Sequence, residues 1–475
     1  MTDKKLKIFI ATTAGISLLL FLFWIFNDPT RDFVIYNPGM DKPNDSAITT
    51  LNENVIIGEH FTKFADYSST FTEKWPTFRG QNQDNMLKTN YPINENWNTK
   101  EPNIVWSVPT GEGHAAPAIY NGLVYFIDYD ETEKADMLKC FSLETGKELW
   151  RRWYKVHIKR NHGMSRTIPA VTENYVVTIG PRCHVMCVER ESGNLLWGID
   201  LEKQYKTETP LWYTGQCPII VDDVAIIAVG GSALMIGVDC KTGKVLWETP
   251  NEKNRKMSHS SILPITILNK KMFVYASIGG ICGISDETPD MGKIIWEISD
   301  WAPSVIAPMP VYIGNNRIFV TGGYGAGGAV LKLLEKNGNI AAQLESKFAP
   351  HEGLASEQQT PIINNGFVYG ILPKDAGVNR NQFICYNAND LTSPVWQSGK
   401  ENRYGLGPYI QINDKFLILS DDGTLDMIQA SEKSFQLVNR KKLFDGHDAW
   451  GPFAFADGYL LLRDSKNIYC LDVRK

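Results

Sequence analysis

Short runs of alternating apolar and polar residues dominate the chain, and three of them have nearly the same sequence. Residues 138–150 are "LKCFSLETGKELW", residues 185–197 are "VMCVERESGNLLW" and residues 235–247 are "MIGVDCKTGKVLW". Each run alternates with a period of two, turns at a glycine and ends in a short second run that closes on tryptophan, which is the pattern of a β-hairpin. Looser copies end at Trp296 and Trp396. The chain is therefore predicted to repeat a β-hairpin unit.

A second marker recurs in step with the hairpins, because each unit opens with an apolar strand that contains a proline. These prolines are Pro117, Pro169, Pro218, Pro264, Pro310, Pro361, Pro408 and Pro452. Proline cannot donate a hydrogen bond to a ladder and belongs at strand starts or on edge strands. Eight opening strands that tolerate proline indicate eight free edges. A β-propeller supplies them, because the innermost strand of every blade faces the central channel.

The number of strands also predicts how the ring closes. The last unit, residues 449–475, has three predicted strands and then the chain stops. The run "NIVWSVP" at 103–109 is a fourth strand without the three that should precede it. Together they make one complete blade from the two ends of the repeat region. The predicted fold class is all-β, an eight-bladed β-propeller of four-stranded blades over residues 103–475, preceded by an N-terminal transmembrane helix.

The N-terminus is expected to be a signal anchor. Residues 8–26 form an uncharged apolar run that would span roughly 28 Å as a helix. Lysines lie before this run, so residues 1–7 are expected in the cytoplasm and the propeller outside it. The alternative is a cleaved signal peptide, but no A-x-A-like site follows the run. Residues 27–102 are predicted to be a tether and lead-in segment, and the expected location is the inner membrane as a single-pass protein, with the propeller in the periplasm or outside the cell.

Composition excludes one class of partner. The formal net charge is −5 and no run of Lys and Arg dominates any region. Because affinity for nucleic acid comes from clustered cations at phosphates, no nucleic-acid binding is expected. The expected partners are an envelope protein or a small-molecule ligand, with membrane contact through residues 8–26.

Seven of the eight cysteines separate into two groups, and the role of Cys240, in the turn after a predicted third strand, stays open. Cys187 lies in the middle of a predicted third strand, and the same slot in other blades is assigned to Cys140, Cys282, Cys385 and Cys470. A buried cysteine serves there as a small apolar residue. Two other cysteines, Cys183 and Cys217, precede strands on one face of neighbouring blades, so a disulfide between them is one alternative. A metal site that includes His184 is another, although no further ligand is indicated by the spacing.

The repeat resembles that of the pyrroloquinoline-quinone-like propeller family, on the strength of "ETGKELW", "ESGNLLW" and "KTGKVLW" and of the segment "WPTFRGQNQDN" at 75–85. The resemblance implies an eight-bladed propeller. It does not fix the function, because the family includes quinoprotein alcohol dehydrogenases and an outer-membrane assembly lipoprotein. The dehydrogenases have adjacent cysteines beneath the quinone and acidic ligands for Ca²⁺. This chain has no adjacent cysteines, so no cofactor is expected, and pyrroloquinoline quinone with calcium is the alternative.

Candidate binding residues lie in the loops before the first strands, where the channel of a propeller opens. They are His114, Arg166, Gln216, His259, Ser260, Glu357, Gln358, Tyr404, His447, Asp448 and Trp450. Side chains from several blades would converge there on one concave site. The alternative is that they satisfy loop backbones and hold channel water. No catalytic residue and no metal ligand is assigned. The hypothesis is a membrane-anchored binding or scaffold module, and the alternative is a pyrroloquinoline-quinone-dependent oxidoreductase.

The anchor leads to a testable prediction. Because no cleavage site follows the apolar run, the mature protein is expected to begin at Met1 or Thr2 and to remain in the membrane fraction after a high-salt wash. Intact-mass measurement of the protein purified from its own membranes checks this. A mature N-terminus beyond residue 27 would contradict the uncleaved anchor.

Overall fold

The computed structural model describes residues 3–27 and 54–475. The chain divides into two compact units, Met1–Thr50 and Leu51–Lys475. The described part of the first unit is helix α1 (Asp3–Phe26), which buries no side chain. This helix is long and apolar enough to cross a membrane. The predicted apolar helix is therefore present, and it begins five residues before the apolar run.

The second unit is built almost entirely of strands, numbered in chain order. Those of its first half are β1 (His60–Lys63), β2 (Lys74–Trp75), β3 (Met86–Leu87), β4 (Asn103–Pro109), β5 (Ala118–Tyr120), β6 (Leu123–Asp130), β7 (Ala135–Ser142), β8 (Glu148–Lys155), β9 (Ala170–Val171), β10 (Tyr175–Ile179), β11 (His184–Glu189), β12 (Leu195–Asp200), β13 (Ile219–Val221), β14 (Val224–Ala228), β15 (Ala233–Asp239) and β16 (Val245–Pro250). A short helix, α2 (Leu201–Tyr205), follows β12, and the Asp200 side chain caps its N-terminus.

The strands of the second half are β17 (Leu263–Ile267), β18 (Lys270–Ser277), β19 (Gly280–Ser285), β20 (Ile294–Ile298), β21 (Val311–Tyr312), β22 (Arg317–Gly322), β23 (Gly327–Lys336), β24 (Asn339–Phe348), β25 (Ile362–Asn364), β26 (Phe367–Ile371), β27 (Phe383–Asn387), β28 (Asp390–Gln397), β29 (Tyr409–Ile412), β30 (Lys415–Leu419), β31 (Thr424–Gln429), β32 (Leu437–Lys442), β33 (Ala454–Ala456), β34 (Tyr459–Arg463) and β35 (Asn467–Asp472). A 3₁₀ turn, Gly377–Asn379, lies between β26 and β27.

These strands form eight sheets, each with four antiparallel strands as its blade, which confirms the predicted eight-bladed propeller. Blade 1 contains β5 to β8, and blades 2 to 7 follow as consecutive sets of four strands up to β32. Blade 8 has the order β33-β34-β35-β4, so the segment at 103–109 supplies its outermost strand as predicted. Cys470 of β35 faces Trp106 of β4 in this pairing. The ring is thus closed by backbone hydrogen bonds between two segments more than 350 residues apart.

A buried arginine reinforces the closure. Arg463, at the end of β34, is 1% exposed and donates to the carbonyl oxygens of Ala115 at 2.7 Å and Gly111 at 3.3 Å, which belong to the loop that leads into blade 1. It also donates to the Thr110 hydroxyl at 3.1 Å. One side chain therefore joins blade 8 to the start of blade 1.

The eight prolines lie where the innermost strands begin. Six of them directly precede the first strand of their blade, Pro452 lies two residues before β33, and Pro264 is the second residue of β17. The proline of each unit thus marks the inner edge, where a missing backbone donor leaves no ladder hydrogen bond unmade.

Where a tryptophan closes a repeat, it packs across its hairpin against a small residue. Trp150, Trp197 and Trp396 face Cys140, Cys187 and Cys385 in the register of the third and fourth strands. In blade 4, however, Trp296 faces Gly283, and Cys282 is displaced by one position. The assignment of Cys282 to this slot was therefore wrong, because the slot in blade 4 belongs to glycine.

The segment expected to be a tether is folded from residue 54 onwards, and that part of the prediction is wrong. Strand β1 pairs with the outer edge of β8, whereas β2 pairs with the inner edge of β5 and β3 pairs in parallel with β29. Residues 74–87 therefore run into the central channel and out again. Arg79, at the turn, is 5% exposed and donates to the carbonyl oxygen of Pro361 at 3.0 Å. Unpaired inner strand edges explain why this segment has partners in the channel.

The disulfide considered for Cys183 and Cys217 is not formed, because both thiols are free and pack in different apolar clusters. The Sγ atom of Cys183 lies 3.2 Å from the Thr214 hydroxyl. The Sγ atom of Cys217 accepts from the backbone N–H of Ile168 at 3.3 Å. Each sulfur already has a local partner of its own.

The contribution of Arg463 to the closure of the ring is testable. Replacing it by methionine (Arg463→Met) removes the donors and leaves buried carbonyl groups unpaired, so the free energy of unfolding should fall by about 3 kcal/mol. Arg160, which is 69% exposed and paired with Glu112, is the matched control, and Arg160→Met should change the free energy by less than about 0.5 kcal/mol. Urea unfolding of both variants measures this. Equal stability of the two variants would show that Arg463 does not hold the ring closed.

Candidate functional site

The loops that lead into the first strands meet around a funnel at one end of the channel. Seven of the eight blades and the segment that enters the channel line a cavity of about 90 Å³ there. Five of the predicted binding residues lie in its wall, and they come from five different blades: His114, Arg166, His259, Gln358 and Trp450. The predicted convergence is therefore present, although with fewer of the predicted residues.

Trp450 and His114 form one side of the funnel. Their rings are stacked, with centroids 3.4 Å apart and an angle of 15° between the planes. The side chain of Gln359 donates to the carbonyl oxygen of Trp450 at 2.9 Å and so fixes the loop that carries it. His114 is buried, and its Nδ1 atom has no hydrogen-bond partner among the described residues. Burial, assisted by the nearby charges of Arg166 and Arg463, lowers the pKa of His114 well below its ordinary value.

Arg166 belongs to the neighbouring loop of blade 2, where the carbonyl oxygen of Ser165 accepts from the backbone N–H of His114 at 2.7 Å, and it is held by backbone oxygens. Its Nε atom donates to the carbonyl oxygen of Trp212 at 2.6 Å, and its Nη2 atom donates to that of His162 at 2.6 Å. No carboxylate lies within ion-pair distance of this guanidinium in the part of the chain that the structure describes. Burial lowers its pKa to about 10, so it remains charged at neutral pH.

His259 and two aromatic residues complete the wall of the funnel. Trp212 is stacked on Tyr324, with ring centroids 5.8 Å apart, and its ring lies 6.2 Å from that of His259. Burial and the charge of Arg166 lower the pKa of His259 to about 4. Trp212 and Tyr213 have φ angles of 63° and 72°, in the left-handed region that bulky residues rarely adopt. Such backbone strain persists where the surrounding structure imposes it, and it is concentrated at functional sites.

Two predicted residues, Gln216 and Ser260, point away from the funnel. Gln216 is fully buried and donates to the carbonyl oxygen of Ala228 at 3.1 Å. Ser260 is also fully buried. Their neighbours on both sides line the cavity instead, because successive side chains of an extended segment point to opposite sides. These neighbours are Gly215, Cys217, His259 and Ser261.

Two more predicted residues are parts of the blades. Tyr404 is 2% exposed and donates to Asp426 at 2.8 Å within the core between blades 6 and 7. Glu357 is buried beside Gly323 and lies 3.5 Å from the ammonium group of Lys374. Burial raises the pKa of this carboxyl. Neither side chain lines the funnel.

His447 and Asp448 lie outside the funnel. They form an exposed pair with 3.2 Å between Nδ1 and the carboxylate oxygen, and the histidine side chain is 87% exposed. Trp450, two residues later, turns inward because its backbone N–H donates to the carbonyl oxygen of Asp448 in a tight turn.

Sequence reasoning missed three aromatic residues of the site. Phe78 lines the cavity from the segment inside the channel, while Trp212 and Tyr324 form the stacked pair above Arg166. Trp212 lies in a long loop ahead of the proline of its blade, and Tyr324 in a glycine-rich turn, so neither follows the repeat. The signal that could have indicated Phe78 is the aromatic cluster "WPTF", which is unusual for a tether.

The residues of the funnel do not fit a calcium-bound quinone. Ca²⁺ prefers several carboxylate and carbonyl oxygens, but the wall contains no aspartate or glutamate and provides side-chain oxygen only from Gln358, Gln359 and Ser261. Across residues 3–27 and 54–475, no group of three His, Cys, Asp or Glu side chains is arranged to hold a metal ion. The cysteine that lines the wall, Cys217, has no adjacent cysteine.

Fold and repeat together define the class of protein, an eight-bladed propeller built from pyrroloquinoline-quinone-like repeats. The family model described as outer membrane protein assembly factor BamB matches residues 134–398, which is more than half of the chain. The chain therefore belongs to this family. A comparison with curated protein sequences gives no match.

Solved structures with the same fold come from both branches of these propellers. BamB from Moraxella catarrhalis is 12% identical, with a TM-score of 0.52, and the alignment covers 78% of this chain and 99% of that one. A europium-containing methanol dehydrogenase is 11% identical, with a TM-score of 0.60 and coverage of 84% and 98%. A quinohemoprotein alcohol dehydrogenase from Comamonas testosteroni is 12% identical, with a TM-score of 0.58 and coverage of 84% and 80%. At these identities the likeness shows the fold alone.

The low pKa of His259 predicts how stability depends on pH. The folded state holds this imidazole neutral to about pH 4, whereas the unfolded chain protonates it near pH 6.5. The contribution of neutral His259 to the free energy of unfolding is therefore complete above pH 6.5. It is lost as the pH falls towards 4, by up to about 1.4 kcal/mol per pH unit. The variant His259→Gln should lose less stability than the unmodified protein between pH 7 and pH 5. Urea unfolding at both pH values measures this, and identical losses would contradict it.

Proposed function

We propose that this protein is a non-catalytic binding module of the cell envelope, which receives a partner protein at the funnel. The observation that carries the proposal is the convergence of loops from seven blades on one concave, aromatic-lined cavity. Its rim also carries exposed apolar side chains, since Tyr324 is 40% and Leu211 37% exposed. Apolar residues around a cavity with a few placed polar groups are typical of binding sites.

The N-terminal helix supports membrane attachment. Helix α1 has the length and composition of a membrane span, and Lys4, Lys5 and Lys7 lie at its N-terminal end. The positive-inside rule supports an orientation with this end in the cytoplasm and the propeller in the periplasm or outside the cell. We place the protein in the inner membrane on this basis. The family name, an outer membrane protein assembly factor, supports an envelope protein as the partner.

The chemistry of the wall supports binding rather than catalysis. Burial raises the pKa of the Cys217 thiol to about 11, so it carries a proton at neutral pH and is a poor nucleophile. The wall contains no carboxylate that could act with His114 or His259 as a catalytic pair. A quinone-dependent oxidoreductase is the second candidate, favoured by the fold shared with the methanol dehydrogenase, but the side chains of the funnel do not supply ligands for its calcium.

A site-specific cross-link tests the proposal. A photo-reactive amino acid at Tyr324 or Leu211, on the rim, should give one discrete cross-linked product in the membranes of living cells. The matched control is Leu246, an apolar residue that is 48% exposed on the outer strand of blade 3, and it should not give that product. Absence of a rim-specific product, or the same product from all three positions, would contradict a partner at the funnel.

A further inference from the structure

The wall of the funnel has an unbalanced charge. Its ionisable side chains are Arg166, His114, His259 and the Cys217 thiol, and no aspartate or glutamate is among the residues that line it. Arg166 carries a full positive charge, whereas burial keeps both imidazoles neutral. The cavity therefore presents one half-buried cation, and its wall contains no opposite charge.

The guanidinium of Arg166 forms no ion pair among the described residues, and Glu112, the carboxylate that acts on it from a longer distance, is paired with Arg160. Its four hydrogen bonds go to the backbone oxygens of Trp212, Asn161, His162 and Gly163, and they use only Nε and Nη2. Within residues 54–475, no partner is recorded for Nη1 and no carboxylate forms an ion pair with this side chain. Arg166 is half-buried, and an arginine fork that has no ion pair binds best to a planar carboxylate or a phosphate.

The other side chains of the wall favour an organic ligand over an inorganic anion. Trp450 and Trp212 provide aromatic surface on opposite sides, Phe78 closes the floor, and Ile168 and Val305 add aliphatic surface. An inorganic anion would leave this apolar surface in contact with water, whereas an organic body would cover it. The small cavity, about 90 Å³, suits a compact molecule.

We propose that the funnel binds a small organic carboxylate, with its carboxylate group on the Arg166 guanidinium and its apolar body against Trp450 and Trp212. The proposal uses the same funnel as the proposed function and names the ligand class of that site. Arg166 is the binding residue, and Gln359 is a positioning residue that acts through the Trp450 backbone.

Binding of the anion is coupled to protonation of the imidazoles. The charged and titratable groups around the two histidines are Arg166, Arg463, His162, Cys217 and Tyr324, and Glu112, which is paired with Arg160, acts on Arg166. The cations among them disfavour the protonated imidazoles by electrostatic repulsion. An anion bound to Arg166 reduces this repulsion. The pKa of the imidazoles therefore rises on binding, the complex takes up protons, and affinity increases as the pH falls from 7 towards 5.

The first experiment compares two probes of the same shape on the full-length protein in detergent. Calorimetric titration with benzoate should give saturable binding, while benzamide, its uncharged isostere, should bind about 10- to 100-fold more weakly. Benzoate binding should also be tighter at pH 5.5 than at pH 7.5. Equal affinity for the two probes, or no benzoate binding up to its solubility limit, would overturn the proposal. Inorganic phosphate that binds as tightly as benzoate would overturn the assignment of an organic ligand.

The second experiment tests the assignment of Arg166 as the binding residue. Arg166→Gln should weaken benzoate binding about 10- to 100-fold, because it removes a charge-assisted pair. Arg160→Gln is the matched control on the same loop, with an exposed guanidinium already paired with Glu112, and it should leave affinity unchanged. Unchanged affinity in folded Arg166→Gln would overturn the assignment. If that variant does not fold, the benzoate–benzamide difference and the pH dependence of the unmodified protein still decide the proposal.

The two proposals for the funnel can be refuted independently of each other. A missing rim cross-link with intact benzoate binding would refute the partner protein and leave the carboxylate site. A rim-specific cross-link without any benzoate binding would refute the carboxylate site and leave the partner protein.

Discussion

The unpaired inner edge of each blade is the constraint on which the rest of this structure depends. A ring of radial sheets leaves eight innermost strands whose backbone groups face a narrow channel, where an unsatisfied donor or acceptor is costly. The chain meets this constraint with a proline at each inner strand, which removes one donor, and with a segment of its own. Strands β2 and β3 pair with the inner strands of blades 1 and 7, and the carbonyl oxygen of Pro76 accepts from Val171 of blade 2.

The candidate site is a consequence of that arrangement. The segment that satisfies the inner edges turns at Arg79, and Phe78 beside it becomes the floor of the funnel. Without this segment the loops of the blades would surround an open channel rather than a closed cavity. The burial that lowers the pKa of His114, His259 and Arg166 therefore depends on the filling of the channel from the opposite end.

The prolines of the repeat indicated the loops that surround the funnel, but the direction of individual side chains could not be derived from the repeat. In blades 3 and 4 the lining residues Gly215, Cys217, His259 and Ser261 are within one position of those predicted, whereas Trp212 is not. Gln216 and Ser260 do not line the funnel, because alternate residues of an extended segment face opposite sides and the sequence did not show which set faces the channel. Tyr404 does not line it for a different reason, since its hydroxyl donates to Asp426 in the core between blades 6 and 7.

The sequence by itself determined the repeat, the eight blades, the closing strand at 103–109 and the apolar helix, because these depend on local periodicity and on counting complete units. Only the tertiary structure decided that residues 54–102 fold onto the propeller, that Phe78, Trp212 and Tyr324 meet the predicted histidines, and that Arg166 lies without a carboxylate beside it. Those features come from contacts between distant segments around a common axis. No periodicity encodes such contacts, since each residue involved belongs to a loop that differs from one blade to the next.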